Sequence, residues 1–178
     1  MPGGGKSTIG RQLARRLNRD FVDSDAVIER RVGSSVRAFF EREGESAFRD
    51  IEEQVLAELA ADPNLVLATG GGAILREANR TLLAGRTIVV YMRSSPEDLF
   101  RRLRHDTKRP LLQVNDPLTR LREMHAVRDP LYRQTAHFCI DTGRPSVPTL
   151  VNMILMQLEL AGVIDPAKVP SPIDGSAI

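Results

Sequence analysis

The sequence predicts one three-layer α/β domain with a parallel β-sheet, because short apolar runs alternate with amphipathic helical patterns along the chain. Two of these runs, residues 65–68 and 87–92, are continuous and rich in aliphatic and β-branched side chains. Such runs are typical of strands that are buried on both faces, as in a parallel sheet covered by helices. The chain of 178 residues is 42% hydrophobic, which suffices for one domain that we expect to span residues 1–162.

The N-terminal residues form most of the phosphate-binding motif G-x-x-x-x-G-K-[ST]. An apolar stripe with helical spacing, at Ile9, Leu13 and Leu17, follows at once. In such a loop the backbone amides and the helix N-terminus bind phosphate oxygens, while the lysine reaches the β- and γ-phosphates and the serine binds Mg²⁺. A flexible glycine-rich terminus is the alternative. We predict that ATP and Mg²⁺ bind at Gly3, Gly4, Gly5, Lys6, Ser7 and Thr8.

The first glycine of this motif, and the apolar strand that normally delivers the loop, would both precede Met1. We therefore expect the first strand to be missing from this chain, and the polypeptide to be a truncated or misassigned version of a longer one. An in-frame upstream sequence without an apolar run ending in glycine would contradict this hypothesis.

Two carboxylates follow the short strand Phe21–Val22, in the sequence Asp23-Ser24-Asp25. Ligands of parallel α/β sheets bind at the carboxyl ends of the strands. We expect Asp23 to hold Mg²⁺ and orient an attacking hydroxyl, and Asp25 to accept hydrogen bonds from hydroxyl groups of the acceptor. The alternative for Asp25 is that it only caps the helix that begins at Ala26.

Three helical patterns, separated by glycines, form a predicted insertion at residues 26–60 that binds the acceptor. Arg49 lies in the last of them, and Arg128 precedes a predicted helix start at Asp129-Pro130. A planar guanidinium suits bidentate binding of a carboxylate, and a surface salt bridge is the alternative for each arginine. The glycines at 70–72 follow a buried strand and offer backbone amides to an anion, with a flexible turn as the alternative.

The second half continues the alternation of strands and helices. No apolar period persists over residues 105–117, which we predict to be a mobile lid whose Arg109 closes over the transferred phosphate. Residues 163–178 are predicted to be a disordered tail. The remaining predicted elements are helices at 96–104, 118–127 and 130–135, a strand at 137–140, and a helix that Ser146 caps.

Composition excludes several classes of protein. The net charge is +2, and the basic run at residues 100–109 indicates a nearby polyanion, although a solvated helix face is the alternative for Arg101 and Arg104. Nucleic acid is an unlikely match, since aromatic residues make up 4% of the chain, Trp is absent and no nucleic-acid-binding motif is present. One cysteine, no leader and no apolar run long enough for a bilayer predict a cytoplasmic protein without a membrane partner. The three histidines show no shared metal spacing.

The ordered motifs GGGKST, FVDSD, GESAFRDIE, TGGG, RPLL and RDPLYRQTA make the chain resemble the shikimate kinase family over residues 1–161. The resemblance implies a five-stranded parallel sheet of the nucleoside-monophosphate-kinase type. It also implies that ATP phosphorylates the 3-hydroxyl of shikimate, in aromatic amino acid biosynthesis. Rival interpretations are a gluconate or nucleoside monophosphate kinase, a non-catalytic nucleotide-binding protein, and an inactive fragment.

The resemblance also assigns roles to residues. Arg109 matches a lid arginine that contacts both ligands, and it is expected to act in catalysis with Lys6 and Asp23. Arg102 resembles an arginine that stacks on adenine, and Arg144 lies in Gly143-Arg144-Pro145, which is expected to close the other side of the base. A monomer is expected. Ser7 and Asp23 match the Mg²⁺ positions, and the residues that match shikimate-contacting positions are Asp25, Arg49, Gly71, Gly72 and Arg128.

Overall fold

The computed structural model of the chain describes residues 5–103 and 115–169. Within these ranges, four short parallel strands alternate with seven α-helices, and this confirms the predicted α/β class. The helices are α1 Lys6–Leu17, α2 Ser24–Val32, α3 Val36–Leu59, α4 Glu77–Arg86, α5 Pro96–Leu103, α6 Pro117–Thr135 and α7 Val147–Leu160. The strands are β1 Asp20–Asp23, β2 Leu65–Ala68, β3 Val90–Arg93 and β4 Phe138–Asp141, and 3₁₀ helices lie at Ala73–Leu75 and Pro166–Lys168.

The strands form two parallel pairs, β1 with β2 and β3 with β4. Their register places Asp23 beside Ala68 and Arg93 beside Asp141, so each pair ends in polar or small residues at its carboxyl edge. The resemblance implies five strands, and the described ranges contain these four. The carboxyl edges therefore supply the positions where the sequence predicts ligands.

An apolar cavity of about 670 Å³ is lined by residues of both strand pairs. Val66 and Leu67 of β2 and Val90 and Met92 of β3 contribute to its walls, together with side chains of α1, α4, α6 and α7. Among the described residues, β2 and β3 share no ladder of hydrogen bonds. Helix packing therefore holds the two pairs together in this part of the chain.

Helices cover both faces of the strands, as β3 shows. Val90 and Met92 pack against a core cluster that α1 and α7 supply, whereas the intervening Tyr91 stacks on Tyr132 of α6 with ring centroids 4.7 Å apart. Because side chains alternate along a strand, these contacts lie on opposite faces. The predicted three-layer arrangement, with strands buried on two faces, is confirmed.

The predicted helix start at Asp129-Pro130 is wrong, because α6 runs without interruption from Pro117 to Thr135. The Asp129 side chain accepts hydrogen bonds from the Tyr91 hydroxyl at 2.8 Å and from Nε of Arg133 at 2.6 Å. Those bonds, one to β3 and one within α6, occupy the carboxylate that would otherwise cap a new helix at Pro130.

Two further helices also differ from the predicted elements. The predicted break at Gly44 is a kink (φ 84°, ψ 173°) inside α3. Helix α4 was not predicted; its only buried residues are Asn79 and Leu83, so its sequence shows a weak apolar stripe.

The prediction of a disordered tail from residue 163 is wrong for residues 163–169. Ile164 and Val169 pack against the core cluster of α1 and α7, and a 3₁₀ helix that Asp165 caps lies between them. Spaced apolar side chains hold this segment despite its proline content. Residues 170–178 lie outside the described ranges. No helix in residues 5–103 and 115–169 has the length and apolar character that crossing a membrane requires.

Candidate active site

The phosphate-binding loop enters α1 at Gly5, which adopts the left-handed conformation (φ 73°, ψ 14°) that favours glycine. Lys6 is the first residue of α1, and Ser7 follows within its first turn, where the helix amides point at a ligand. Thr8 is exposed. Gly3 and Gly4 lie outside the described residues.

Ser7 connects this loop to the end of β1. Its hydroxyl donates to Oδ2 of Asp23 at 2.8 Å, and Oδ1 of Asp23 accepts from the backbone N–H of Asp25 at 3.0 Å. Asp23 is therefore the N-cap of α2. The alternative for Asp25 was that it only caps the helix, but Asp23 is the residue that caps α2. The Asp25 carboxylate lies beside Gly70 instead.

The Ser7 hydroxyl and the Asp23 carboxylate fit Mg²⁺. This ion usually takes one or two protein oxygens and completes its octahedron with phosphate oxygens and water. The two side chains already lie within hydrogen-bonding distance of each other at the helix N-terminus that is expected to bind the triphosphate. No cluster of three or more His, Cys, Asp or Glu side chains suited to a metal occurs in the described ranges.

Arg49 of α3 lies in a largely buried site. Its side chain is 11% exposed, Nη1 donates to Oε2 of Glu52 at 2.6 Å, and the guanidinium also contacts Glu45 and the face of Phe48. The surface salt bridge that was the alternative for Arg49 does not describe this geometry, since its main partner Glu52 is 1% exposed. A buried guanidinium with fixed orientation is suited to binding a carboxylate.

Glu52 is a site residue that the sequence analysis did not single out. Burial raises the pKa of its carboxyl above the ordinary value, although the adjacent Arg49 guanidinium opposes the change. The available signal was an acid one helical turn after Arg49, within the apolar stripe that Phe48 and Val55 define. An acid on the buried face of a helix requires a buried partner.

The glycine loop at 70–72 is held at successive backbone groups. The hydroxyl of buried Ser24 accepts from the N–H of Gly70 at 3.2 Å, and the carbonyl of Gly71 accepts from the Tyr132 hydroxyl at 2.5 Å. Beyond the loop, Asn79 donates to the Ala73 carbonyl at 3.0 Å. The alternative of a plain flexible turn does not fit a loop with these bonds.

A Cβ at two positions of this loop would displace a charged side chain. A Cβ on Gly70 would lie 2.8 Å from Oδ1 of Asp25, and a Cβ on Gly72 would lie 2.6 Å from Nη1 of Arg49. Gly72 has a φ of −95°, which any residue can adopt, so the constraint there is space and not backbone strain. The loop therefore packs its backbone directly against the charged side chains of the insertion.

Asp25 lies between the phosphate-binding loop and Arg49. Burial raises the pKa of its carboxyl above the ordinary value, the charge of Asp23 raises it further, and the charges of Lys6 and Arg49 oppose both effects. The geometry agrees on the acceptor side, since a Cβ on Gly70 would lie 2.8 Å from Oδ1 of Asp25 and 3.2 Å from Oε1 of Glu52, the partner of Arg49. The predicted phosphate residues and the predicted acceptor residues thus meet at one carboxylate.

Arg128 joins this group from α6. Burial raises the pKa of Glu52, and the charge of Arg128 opposes that rise. Tyr132, one helical turn further along α6, donates to the Gly71 carbonyl. Tyr132 itself was not singled out from the sequence. We name Asp25, Arg49, Glu52, Gly70–Gly72 and Arg128 the Arg49 cluster.

Arg102 lies at the other strand pair. It donates through Nη2 to the carbonyl of Thr142, and its Nη1 lies 3.5 Å from the Thr142 hydroxyl. Thr142 is buried and directly precedes Gly143, whereas Arg144 is exposed. The structure brings Arg102 next to the segment that is expected to close over adenine, and we name Arg102 with Thr142–Pro145 the Arg102 site. Arg109 and most of the predicted lid lie outside the described residues.

Comparisons with known proteins agree on one family. The family model described as shikimate kinase matches residues 2–159. A shikimate kinase of Paracidovorax citrulli is 59% identical over 94% of this chain and 93% of its own length, and one of Burkholderia thailandensis is 59% identical over 91% and 88%.

Solved structures give the same result. A shikimate kinase from Acinetobacter baumannii in complex with shikimate is 47% identical and has a TM-score of 0.84, with 92% of this chain and 90% of that one covered. A shikimate kinase from Aquifex aeolicus, 31% identical, has a TM-score of 0.80 over 92% and 95% of the two chains.

Proposed function

The chain belongs to the shikimate kinase family. From this premise we propose which of its residues bind ATP, Mg²⁺ and shikimate during transfer of the γ-phosphate. The chain is an ATP- and Mg²⁺-dependent phosphotransferase of aromatic amino acid biosynthesis with the P-loop kinase fold. The assignment of individual residues to ATP, to Mg²⁺ and to shikimate is our proposal.

One observation carries this assignment: Asp25 bonds through its backbone to Asp23, the partner of Ser7, while its carboxylate lies at Gly70 beside Glu52, the partner of Arg49. A kinase must hold a phosphate donor and a hydroxyl acceptor in line, and here a carboxylate that can bind hydroxyl groups lies between a triphosphate-binding loop and a buried guanidinium. Shikimate carries the groups that these two side chains can bind: ring hydroxyls for the carboxylate and a carboxylate for the guanidinium.

On the acceptor side, we assign the shikimate carboxylate to Arg49, Arg128 and the amides of Gly71 and Gly72, and the ring hydroxyls to Asp25. Arg49 is held by Glu52 and needs little reorganisation on binding. A rigid cluster of this kind fixes the 3-hydroxyl relative to the phosphate-binding loop, and such positioning supplies much of the rate enhancement in phosphoryl transfer.

On the donor side, we assign the triphosphate to the backbone of the loop and to Lys6. Ser7 and Asp23 would hold Mg²⁺, which neutralises charge on the β- and γ-phosphates when it is bound. Asp23 also orients the attacking hydroxyl. A loose transition state requires little proton removal, so Asp23 need not be a strong base.

Release of ADP in a coupled assay tests the function. Shikimate, gluconate and a nucleoside monophosphate are offered separately with saturating Mg²⁺–ATP, and we expect turnover with shikimate alone. The phosphorylated carbon is identified by its coupling to phosphorus in the NMR spectrum of the product. Turnover with gluconate or the nucleotide but not with shikimate would contradict the function.

Location and assembly are further proposals. We propose a cytoplasmic location, since the reaction consumes ATP, and we propose that the protein is a monomer. Sedimentation of the purified protein checks the monomer, and a stable dimer at micromolar concentration would contradict it.

A further inference from the structure

We propose that Tyr132 is a positioning residue for the acceptor, because its phenol fixes the carbonyl of Gly71 and Arg128 lies one helical turn before it on α6. The inference rests on the proposed function, in which Arg128 and the glycine amides bind the shikimate carboxylate. Tyr132 itself lies behind these groups and does not touch the substrate.

The bond between Tyr132 and Gly71 sets the direction of an amide. The Tyr132 hydroxyl donates to the Gly71 carbonyl oxygen at 2.5 Å. In a trans peptide the carbonyl and the following N–H point in opposite directions. A Gly71 carbonyl that is held toward α6 therefore directs the N–H of Gly72 away from α6, and an acceptor carboxylate meets this amide in a fixed orientation.

Loop residues without side chains need such an external restraint. Gly70, Gly71 and Gly72 have no Cβ, and a run of three glycines loses more conformational entropy on ordering than other sequences do. Ser24 holds the start of the loop at Gly70, and Asn79 holds the residue that follows it. Tyr132 is the described side chain that holds its centre.

The ring of Tyr132 is itself rigidly placed. It stacks on Tyr91 of β3 with an interplanar angle of 21°, and Tyr91 is anchored through its hydroxyl to Asp129 at 2.8 Å. Asp129 lies next to Arg128 on α6, so the two tyrosines connect β3, α6 and the glycine loop. Burial raises the pKa of Tyr132 to about 12, which keeps its phenol a neutral donor at physiological pH.

The pair Tyr132 and Tyr91 offers a matched experiment. Tyr132→Phe removes the hydroxyl that contacts the glycine loop and keeps the stack, whereas Tyr91→Phe removes the other hydroxyl of the same stack and leaves the loop bond intact. Both are measured as full-length proteins by calorimetric titration with shikimate, by steady-state kinetics with both substrates and by thermal unfolding.

We expect Tyr132→Phe to raise the Kd and the KM for shikimate by roughly 5- to 10-fold, the ratio that one neutral hydrogen bond provides. Its KM for ATP should stay within about twofold of the unsubstituted protein. Tyr91→Phe should leave both KM values within about twofold even if it lowers the unfolding temperature as much as Tyr132→Phe does.

The outcomes separate the inference from the function on which it rests. An unsubstituted protein that neither binds nor phosphorylates shikimate would contradict the proposed function. If the unsubstituted protein binds shikimate, three results overturn the role of Tyr132: unchanged affinity in Tyr132→Phe, an equal loss in Tyr91→Phe, or an equal rise in the KM for ATP.

Discussion

The Arg49 cluster and the Arg102 site each contain an arginine that we assign to a ligand, but they are built differently. Arg49 is 11% exposed and paired with a carboxylate that is 1% exposed, whereas Arg102 is exposed and donates to the carbonyl of Thr142. A charge that is buried against another charge cannot be removed without leaving its partner unpaired. Substrate recognition and folding are therefore joined at Arg49 and separate at Arg102.

The largest expected effect follows from Arg49→Ala, which leaves the buried Glu52 carboxylate without its main partner. Removing one member of a buried ion pair destabilises a protein by about 3–5 kcal/mol, which is a large fraction of a typical 5–15 kcal/mol. We expect a loss of this size in urea unfolding at neutral pH, together with loss of measurable shikimate binding. A loss below about 1 kcal/mol at neutral pH would show that Arg49 is not coupled to the fold.

The pH dependence of this loss identifies Glu52 as its cause. The pKa of Glu52 is already raised in the folded protein, and removing Arg49 raises it further. Between the ordinary and the raised pKa the folded state binds more protons than the unfolded state, so the free energy of unfolding falls as the pH rises through this window. The difference in the free energy of unfolding between Arg49→Ala and the unsubstituted protein should thus be small below the ordinary pKa of glutamate and largest at neutral pH. A difference that is independent of pH would contradict this explanation.

The second-largest expected effect follows from Gly72→Ala, because Gly72 lies against the guanidinium of Arg49. In Gly72→Ala the new Cβ would lie 2.6 Å from Nη1 of Arg49, so the guanidinium must shift while its salt bridge to Glu52 persists. We expect the KM for shikimate to rise at least about tenfold, because a displaced guanidinium loses charge-assisted hydrogen bonds to the acceptor carboxylate. The KM for ATP should change little.

Gly85→Ala is the matched control for this substitution. Gly85 lies within α4, and a Cβ there would meet no atom within 4 Å. Replacing glycine by alanine in a helix stabilises it by about 0.5–1 kcal/mol, so the control should unfold slightly later and keep both KM values. Equal KM values in Gly72→Ala and Gly85→Ala would contradict a steric role for Gly72.

The same two regions show what sequence can predict. The positions of Ser7, Asp23 and Arg49 were predicted because each lies in a local pattern, and the structure places Ser7 and Asp23 in direct contact. Asp25 was left open between a cap and a ligand, since a sequence pattern does not show which of two neighbouring carboxylates accepts the first helical N–H.

Glu52 and Tyr132 escaped prediction for a different reason. The partner of Tyr132 lies on another element, which gives no signal at one position of the chain. Glu52 pairs with Arg49 of the same helix, and its signal, an acid within the apolar stripe of α3, was overlooked. Tyr132 contacts the carbonyl of Gly71, 61 residues earlier in the sequence. The continuous α6 escaped for a similar reason, because the Asp129 carboxylate is bonded to Tyr91 of β3, and the local signal of Asp129-Pro130 does not show that bond.

The smallest expected effect is at the Arg102 site and completes the comparison. Arg102→Ala removes a donor from the Thr142 carbonyl, and water can replace it because the site is exposed. We expect a change below about 1 kcal/mol in the free energy of unfolding, without the pH dependence of Arg49→Ala. If the arginine stacks on adenine, the KM for ATP should rise by roughly 3- to 10-fold while the KM for shikimate stays within about twofold. A rise in the KM for shikimate instead would mean that the two arginines are coupled, and the division between a buried acceptor side and an exposed nucleotide side would fail.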